Sequence, residues 1–487
     1  MKKISLILSI YLLISSFALA QGDYEAFRFS QTDYQGTARY MGAGGAFGAT
    51  GGEFSALNSN PAAIGLFKRS DVSFTPLALS FSTNNTMYLG ENASTQNPKY
   101  TVPECGLIIA SEIKDSPWKY WQFGFGYNRI MDYNNTFRMC GTGTNSIVNT
   151  IIDQANGTHF NNLSGDASLA WSTWMMDTIL GTTNQYYSPF TNTELNHDAL
   201  VKTSGSMDEM DICFGGNYND QLFIGANIGI PILDYTERIT YTEAVTGEPA
   251  LWMNDMQTSS TQHNTGGGIN LKLGIIYQPI NFFRIGLGFQ TPTYFWKIKD
   301  QYSRNMISYY NDGTNSDYWS YDNDYAFSLT TPLKFNISAA FLINKRAFVS
   351  AEYEFMDYSQ AKLYANDYNF SSENSAIEEK YGICNTLRLG AEVNVSQKFV
   401  LRAGYNLKTS PYKLIETDYN ATTHYGSLGF GIRSKYIFFD MAYVLRYSKD
   451  SYWLYSAPAG NLTTSDSPVA ETTNCTHRIV ATIGCKF

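Results

Sequence analysis

The sequence predicts an all-β protein, a transmembrane antiparallel β-barrel of about 14 strands with an N-terminal plug. Three observations predict it. Apolar and polar residues alternate at period two in run after run. The connections between those runs alternate short and long, as up-and-down strands crossing a membrane require. Finally, 36 Tyr, 30 Phe and 8 Trp stand beside only 16% charged residues, and Tyr and Trp collect where apolar and aqueous phases meet. No run of about 18 apolar residues follows the first twenty, so no spanning helix is expected.

The first element is a leader. "MKK", the apolar run Ile4–Leu19 and the small pair Ala18/Ala20 predict a signal peptide over residues 1–20, with Gln21 as the new N-terminus. Residues 21–68 come next. Their stretch "GAGGAFGATGGEFSALNSNPAAIGLF", Gly42 to Phe67, carries little side-chain volume. Gly and Ala permit close backbone approach and positive-φ turns, and Asn60-Pro61 marks a turn. A barrel of about fourteen strands leaks unless filled. This segment is therefore expected inside it.

The barrel is expected over residues 69–487. Clear alternation covers Trp121–Ile130, Leu222–Ile230, Ile269–Tyr277, Phe283–Gln290, Leu333–Ile343, Phe348–Phe355, Thr386–Val395, Phe399–Leu407, Tyr436–Tyr447 and Arg478–Phe487. Weaker runs lie near Val72–Phe81, Pro103–Ile113, Met210–Asn217 and Tyr425–Arg433, the first changing phase around Pro76. The short links "KDSP", "ND", "QPIN", "NKR", "SQK" and "RSK" read as periplasmic turns. The long ones, 131–207, 235–266, 294–324, 358–384 and 449–474, read as extracellular loops. Arg284, Arg388, Arg402, Glu352, Glu354 and Asp440 fall on polar faces and are expected in the lumen, because an Arg facing lipid at the midplane costs roughly 2–4 kcal/mol. The longest insertion, about residues 140–205, holds "NSIVNTIIDQANG" and "LAWSTWMMDTILG". Both suit short helices, and Trp171, Trp174, Met175 and Met176 form a candidate ligand-capture surface.

Other functions find little support. A net charge of −9 argues against nucleic acid as partner. The six cysteines, at 105, 140, 213, 384, 475 and 485, show neither CxxC nor zinc spacing. The five histidines make no HExxH and no GxSxG is present. No catalytic residue, metal or cofactor is expected.

The small-residue segment, "NPA" at Asn60–Ala62 and an immediate first strand together resemble the FadL-type long-chain fatty-acid and hydrocarbon transporter family. "FGFGYNRIMDY" at 123–133, "RIGLGFQTPT" at 284–293, "AEYEFMDYS" at 351–359 and "LRLGAEVNVSQKFVLRAGYNLKTSP" at 387–411 are similar too. The resemblance implies a fourteen-stranded barrel closed by a hatch, roughly Gln21–Lys68, with Asn60, Pro61 and Ala62 as its signature. It implies a hydrophobic small-molecule ligand, taken from an extracellular apolar groove into a lumen pocket. A kinked strand, Trp121–Ile130, would then open a lateral gap at Gly124 and Gly126. The implied setting is the outer membrane of a Gram-negative bacterium, where a monomer contacts outer-membrane lipid. Such barrels also serve as secretion components holding protein cargo, and a general porin is a third reading.

Overall fold

The computed structural model describes residues 22–487 apart from 191–192, 248–251, 320–322, 345, 414–420 and 456–464. The expected signal peptide lies outside the described residues. The chain begins with α1 (Gly22–Ser30), α2 (Ala38–Gly42) and two 3-10 turns, Ser55–Asn58 and Pro61–Leu66. The wall then starts with β1 (Asp71–Tyr88), β2 (Glu91–Thr101), β3 (Glu104–Glu112), β4 (Trp118–Asp132) and β5 (Asn135–Gly143). An insertion follows, with α3 (Ile147–Ala155), α4 (Gly165–Ser172) and a small hairpin of β6 (Asp177–Thr178) and β7 (Tyr186–Tyr187).

Three long strands come next: β8 (Leu195–Tyr218), β9 (Leu222–Val245) and β10 (Met253–Ile280). Then come β11 (Phe283–Gln290), β12 (Tyr294–Tyr310), β13 (Asn315–Trp319), β14 (Asn323–Thr330), β15 (Lys334–Ile343), β16 (Ala347–Asp357) and β17 (Lys362–Tyr364). After α5 (Ser371–Lys380), β18 (Ile383–Asn394), β19 (Phe399–Lys408), β20 (Thr423–Arg433), β21 (Ile437–Tyr452) and β22 (Ala470–Lys486) complete the wall. Several of these are two halves of one crossing, such as β2 with β3 and β11 with β12. The wall is a closed antiparallel barrel of 14 strands. Its seam is β1 against β22, and closure satisfies the backbone within lipid.

Alternation sets which face meets lipid. On β10, Ile269, Leu271, Leu273, Ile275 and Tyr277 are exposed, while Asn270 and Lys272 are buried toward the lumen. On β9 the apolar outward band ends at Ile232, and the next outward positions are Asp234, Thr236 and Arg238. The strands thus leave the lipid and continue as an extracellular collar. This corrects the expected loops at 235–266 and 294–324, which are largely strand; Ala244 of β9 still pairs with Asp255 of β10. Outside lipid no apolar face is required, so the period-two signal fades although the ladder does not. The phase change near Pro76 is a register shift between Phe74 and Leu77 against β22, where proline offers no donor.

One hydrogen-bonded row collects further interruptions. It runs through Glu104, Asn128, Glu209 and Pro231, and on the far side of an irregularity at Gly268 through Ile269, Tyr294 and Thr330. Beside it lie Pro103, Pro292 and Pro332. Between β11/β12 and their neighbours, threonines mend the ladder. Leu271 N donates to Thr291 Oγ1 at 3.0 Å and Thr293 N to Thr331 Oγ1 at 2.9 Å. Thr291 N and Thr331 N donate to Leu271 O and Thr293 O, each at 2.9 Å.

Candidate functional site

Residues 22–67 pack against the inward side of the wall. Gly44 has φ +64°, and a Cβ there would sit 2.4 Å from Leu389 O; one on Gly404 would sit 2.0 Å from Gly44 N. Segment and wall therefore touch backbone to backbone. Asn60 accepts from Ala62 N at 3.1 Å, capping the 3-10 turn that Pro61 opens. Its Nδ2 donates to Gly48 O at 2.7 Å and to Ile275 O of the wall at 3.3 Å. Ala62 is fully buried, and Pro61 O occupies the space of a Cβ on Gly225, at 2.2 Å.

The lumen charges hold this segment. Arg39 donates to Glu392 at 2.9 and 3.1 Å, and Arg402 bridges Glu392 and Asp440. Arg388 reaches Glu352 and Glu354, while Glu352 accepts from Gly48 N at 2.8 Å. Arg284 donates to Thr50 O at 2.9 Å. Lys272 lies between Glu209 and Asp211 and donates to Asn58 Oδ1 at 2.8 Å.

Gly124 and Gly126 face this segment. Ile64 and Phe54 fill the space their Cβ atoms would need, at 3.1 and 2.2 Å. The ladder is unbroken there on both sides, toward Ile108 and Gly106 of β3 and toward Cys213 and Asp211 of β8. The discontinuity of the wall lies higher, so the two glycines serve close packing rather than a break. The last β3–β4 pair is Glu104↔Asn128, and β4 shifts register against β8 between Arg129 and Met131. Above Pro103 no backbone ladder joins β2 to β5 among the described residues. Side chains bridge instead: from β2, Asn97 donates to Thr136 O and Lys99 Nζ to Asn134 O, and Asn84 of β1 also donates to Thr136 O. The turned carbonyl of Ile130 accepts from Asp33 N at 2.8 Å.

Behind this discontinuity lies an apolar chamber that α1 fills. The Phe27 ring stacks on Tyr381 at 4.5 Å, with Tyr358 at 5.2 Å and Tyr412 at 5.4 Å. Phe29 packs on Tyr235 and Tyr133 at 5.7 and 6.4 Å, beside Met207, Ile130 and Met131. Arg28 anchors the helix through Glu237 at 3.1 Å. Burial, with Asp300 beside it, pushes the Glu25 carboxyl up to about 8. Just past α1, Lys334 Nζ donates to Thr32 Oγ1 at 2.8 Å and Lys408 Nζ to Thr32 O at 3.5 Å. Among the described residues neither lysine has a carboxylate within 4.0 Å. A cavity of about 30 Å³ opens beside Lys408, Tyr358 and Tyr425, room for about one water.

At the mouth, α3 and α4 cover a methionine-rich cluster. Met175 and Met176 are fully buried in it with Met253, Met256 and Met306 from the tips of β10 and β12. Trp171 is half-buried, stacked on Phe160 at 5.4 Å. Of the four candidate capture residues, only Trp174 stands out into solvent, at 58% exposure. The methionines' partners come from segments that read as loops, so their burial had no sequence signal. Phe27, Lys334 and Lys408 were missed too; an alternating pattern says which residues face the lumen, not which of them lack a partner.

No family model matches the chain, and no curated protein matches it. Among solved structures it is similar to a Pseudomonas aeruginosa FadL homologue, with 12% identity, a TM-score of 0.55, and 94% of this chain and 99% of that one covered. It is similar also to the P. putida toluene transporter TodX, at 13% identity and TM-score 0.51, over 93% and 99%. The chain has the fold of the FadL-type barrels, and its closed wall with an apolar girdle belongs to an outer membrane.

Proposed function

We propose that this barrel carries hydrophobic small molecules passively across the outer membrane, and that its preferred cargo has an anionic head, as a long-chain fatty acid does. The carrying observation is the mid-lumen chamber, where the chain's own Phe27 and Phe29 occupy an apolar, aromatic-lined space. It lies between the buried cluster at the mouth and the stretch of wall without a ladder. Similarity to a structure described as a toluene transporter supports apolar cargo. Lys334 and Lys408 support the head group: both are wall lysines that bond to Thr32 and form no ion pair within 4.0 Å among the described residues, and a carboxylate there would gain charge-assisted hydrogen bonds.

In this reading residues 22–67 are the hatch, and α1 must leave the chamber for cargo to enter it. Cargo then departs between β2 and β5. No step needs an energy source. The test is uptake into proteoliposomes by wild type and K334M/K408M, with oleate and toluene as probes. Losing the head-group bonds, worth roughly 1.5–3 kcal/mol each, lowers oleate uptake at least about tenfold and leaves toluene uptake unchanged. Undiminished oleate uptake in the variant removes the anionic-head reading. Failure of both probes to cross through wild type removes transport itself.

A further inference from the structure

The lipid-facing wall is not uniformly convex. Across β16 to β22 it carries an apolar groove of about 770 Å³. One cross-strand row explains it: Val349, Ala391, Ala403, Leu428, Tyr443 and Ile479 are successive partners. The two alanines are opposite each other, between larger side chains. Because cross-strand neighbours pack side by side, two methyl groups in such a row leave a trough. The exposure of Val349, Leu428 and Tyr443 places it on the outer surface.

The trough lies toward the periplasmic end of these strands, and the rim below it is basic. Three consecutive turns carry Arg346, Lys398 and Lys435, all exposed. They form one continuous edge, since Asn394 N donates to Arg346 O at 2.7 Å and Arg433 N to Lys398 O at 2.8 Å. These turns, "NKR", "SQK" and "RSK", hold no acidic residue. Among the described residues none of the three cations has a carboxylate partner, and Lys435 Nζ sits 4.9 Å over the Tyr436 ring. Three other cations of this rim are neutralised: Lys68 by Asp220 at 2.8 Å, Lys486 by Asp71 at 3.1 Å and Arg433 by Asp440 at 2.9 Å. At about 3.4 Å per residue, Leu401 and Ala403 stand roughly 10 and 17 Å above Lys398. That is the layout of a polar head with a chain rising from it.

We propose that this face binds an anionic phospholipid of the periplasmic leaflet. An acyl chain lies in the groove over Ala391 and Ala403, and the phosphate rests among Arg346, Lys398 and Lys435. The occupant is a lipid because the groove opens onto hydrocarbon. It is anionic because the unpaired side-chain charges of the three turns at its foot are all positive.

Native mass spectrometry of the detergent-extracted mature chain tests this, with phosphatidylglycerol and phosphatidylcholine of matched chains as probes. Wild type should retain phosphatidylglycerol at least fivefold over phosphatidylcholine, in proportion to added lipid up to one bound copy. R346Q/K398Q/K435Q should abolish that preference, and A391F/A403F should lower retention of both lipids. The turn variant alters exposed side chains only, so it stands as a test even if the groove variant fails to fold. Equal retention of the two lipids by wild type overturns the proposal, as does an unchanged preference in the turn variant. A dimer of wild type that A391F/A403F splits, with lipid retention unaltered, assigns the face to a second copy and overturns it likewise.

Discussion

At the scale of single residues, two buried titratable groups meet in the collar, above the lipid. Glu243 of β9 accepts from Ser146 Oγ, from Ile147 N at 2.7 Å and from Tyr241 OH at 2.8 Å, so it pins the start of α3. Tyr241 OH also meets His197 Nδ1 at 2.6 Å. Burial raises the Glu243 carboxyl from 4.5 to about 7 and lowers His197 from 6.5 to about 4. The signs oppose. A carboxyl that holds its proton more tightly when folded stabilises the collar fully below pH 4.5 and loses that contribution as pH rises toward 7. A histidine kept neutral when folded stabilises it above pH 6.5 and loses that as pH falls toward 4. Between pH 4.5 and 6.5 the two offset each other. Hydrogen exchange of residues 147–155, corrected for intrinsic rate, should therefore be nearly flat there in wild type. In His197→Asn protection should grow as pH falls from 7 to 4.5, and in Glu243→Gln it should shrink as pH falls from 6.5 to 4. Parallel slopes in the two variants would refute the coupling.

At the scale of elements, alternation located the wall strands wherever one face meets lipid. Phe283–Gln290 is β11 residue for residue, and Phe399–Leu407 falls one residue short of β19. It failed where the outer face is wet: "TERITYTEAV" of β9 and "NDMQTSSTQHNT" of β10 present no apolar outer face, yet they pair along nearly their whole length. The lumen position of Arg388 and Arg402 was legible from the cost of a charge facing lipid. The place where the wall lacks a ladder was not, because it depends on Pro103 meeting the bulged Ile130 across two strands. Its consequence is measurable. Amides of β2, which lack a ladder toward β5, should exchange at least about tenfold faster than those of β3, which pair with β1 and β4. Equal protection of the two strands in detergent would show that the wall is sealed at this level.

At the scale of the molecule, residues 22–67 and the wall are joined by ion pairs and hydrogen bonds, by backbone laid on glycine, and by apolar side chains such as Phe27, Phe54 and Ile64 packed on the wall. Removing Gln21–Lys68 while keeping the leader should turn a closed barrel into an ion-conducting one in planar bilayers. Gly225→Val, whose Cβ would lie 2.2 Å from Pro61 O, should raise conductance part of the way. Unchanged current after the deletion would remove the hatch from the account. The row of prolines and threonine-mended bonds has its own consequence. It marks the level between a lower hoop gripped by the bilayer and an upper crown standing in water; β8, β9 and β10 run straight through it, while at the Thr291 and Thr331 corners hydroxyls replace two ladder bonds. At those corners a local shift of the crown breaks no backbone ladder bond of the hoop, so a molecule arriving from outside can disturb that part of the rim while the hydrocarbon-facing seal below keeps its shape.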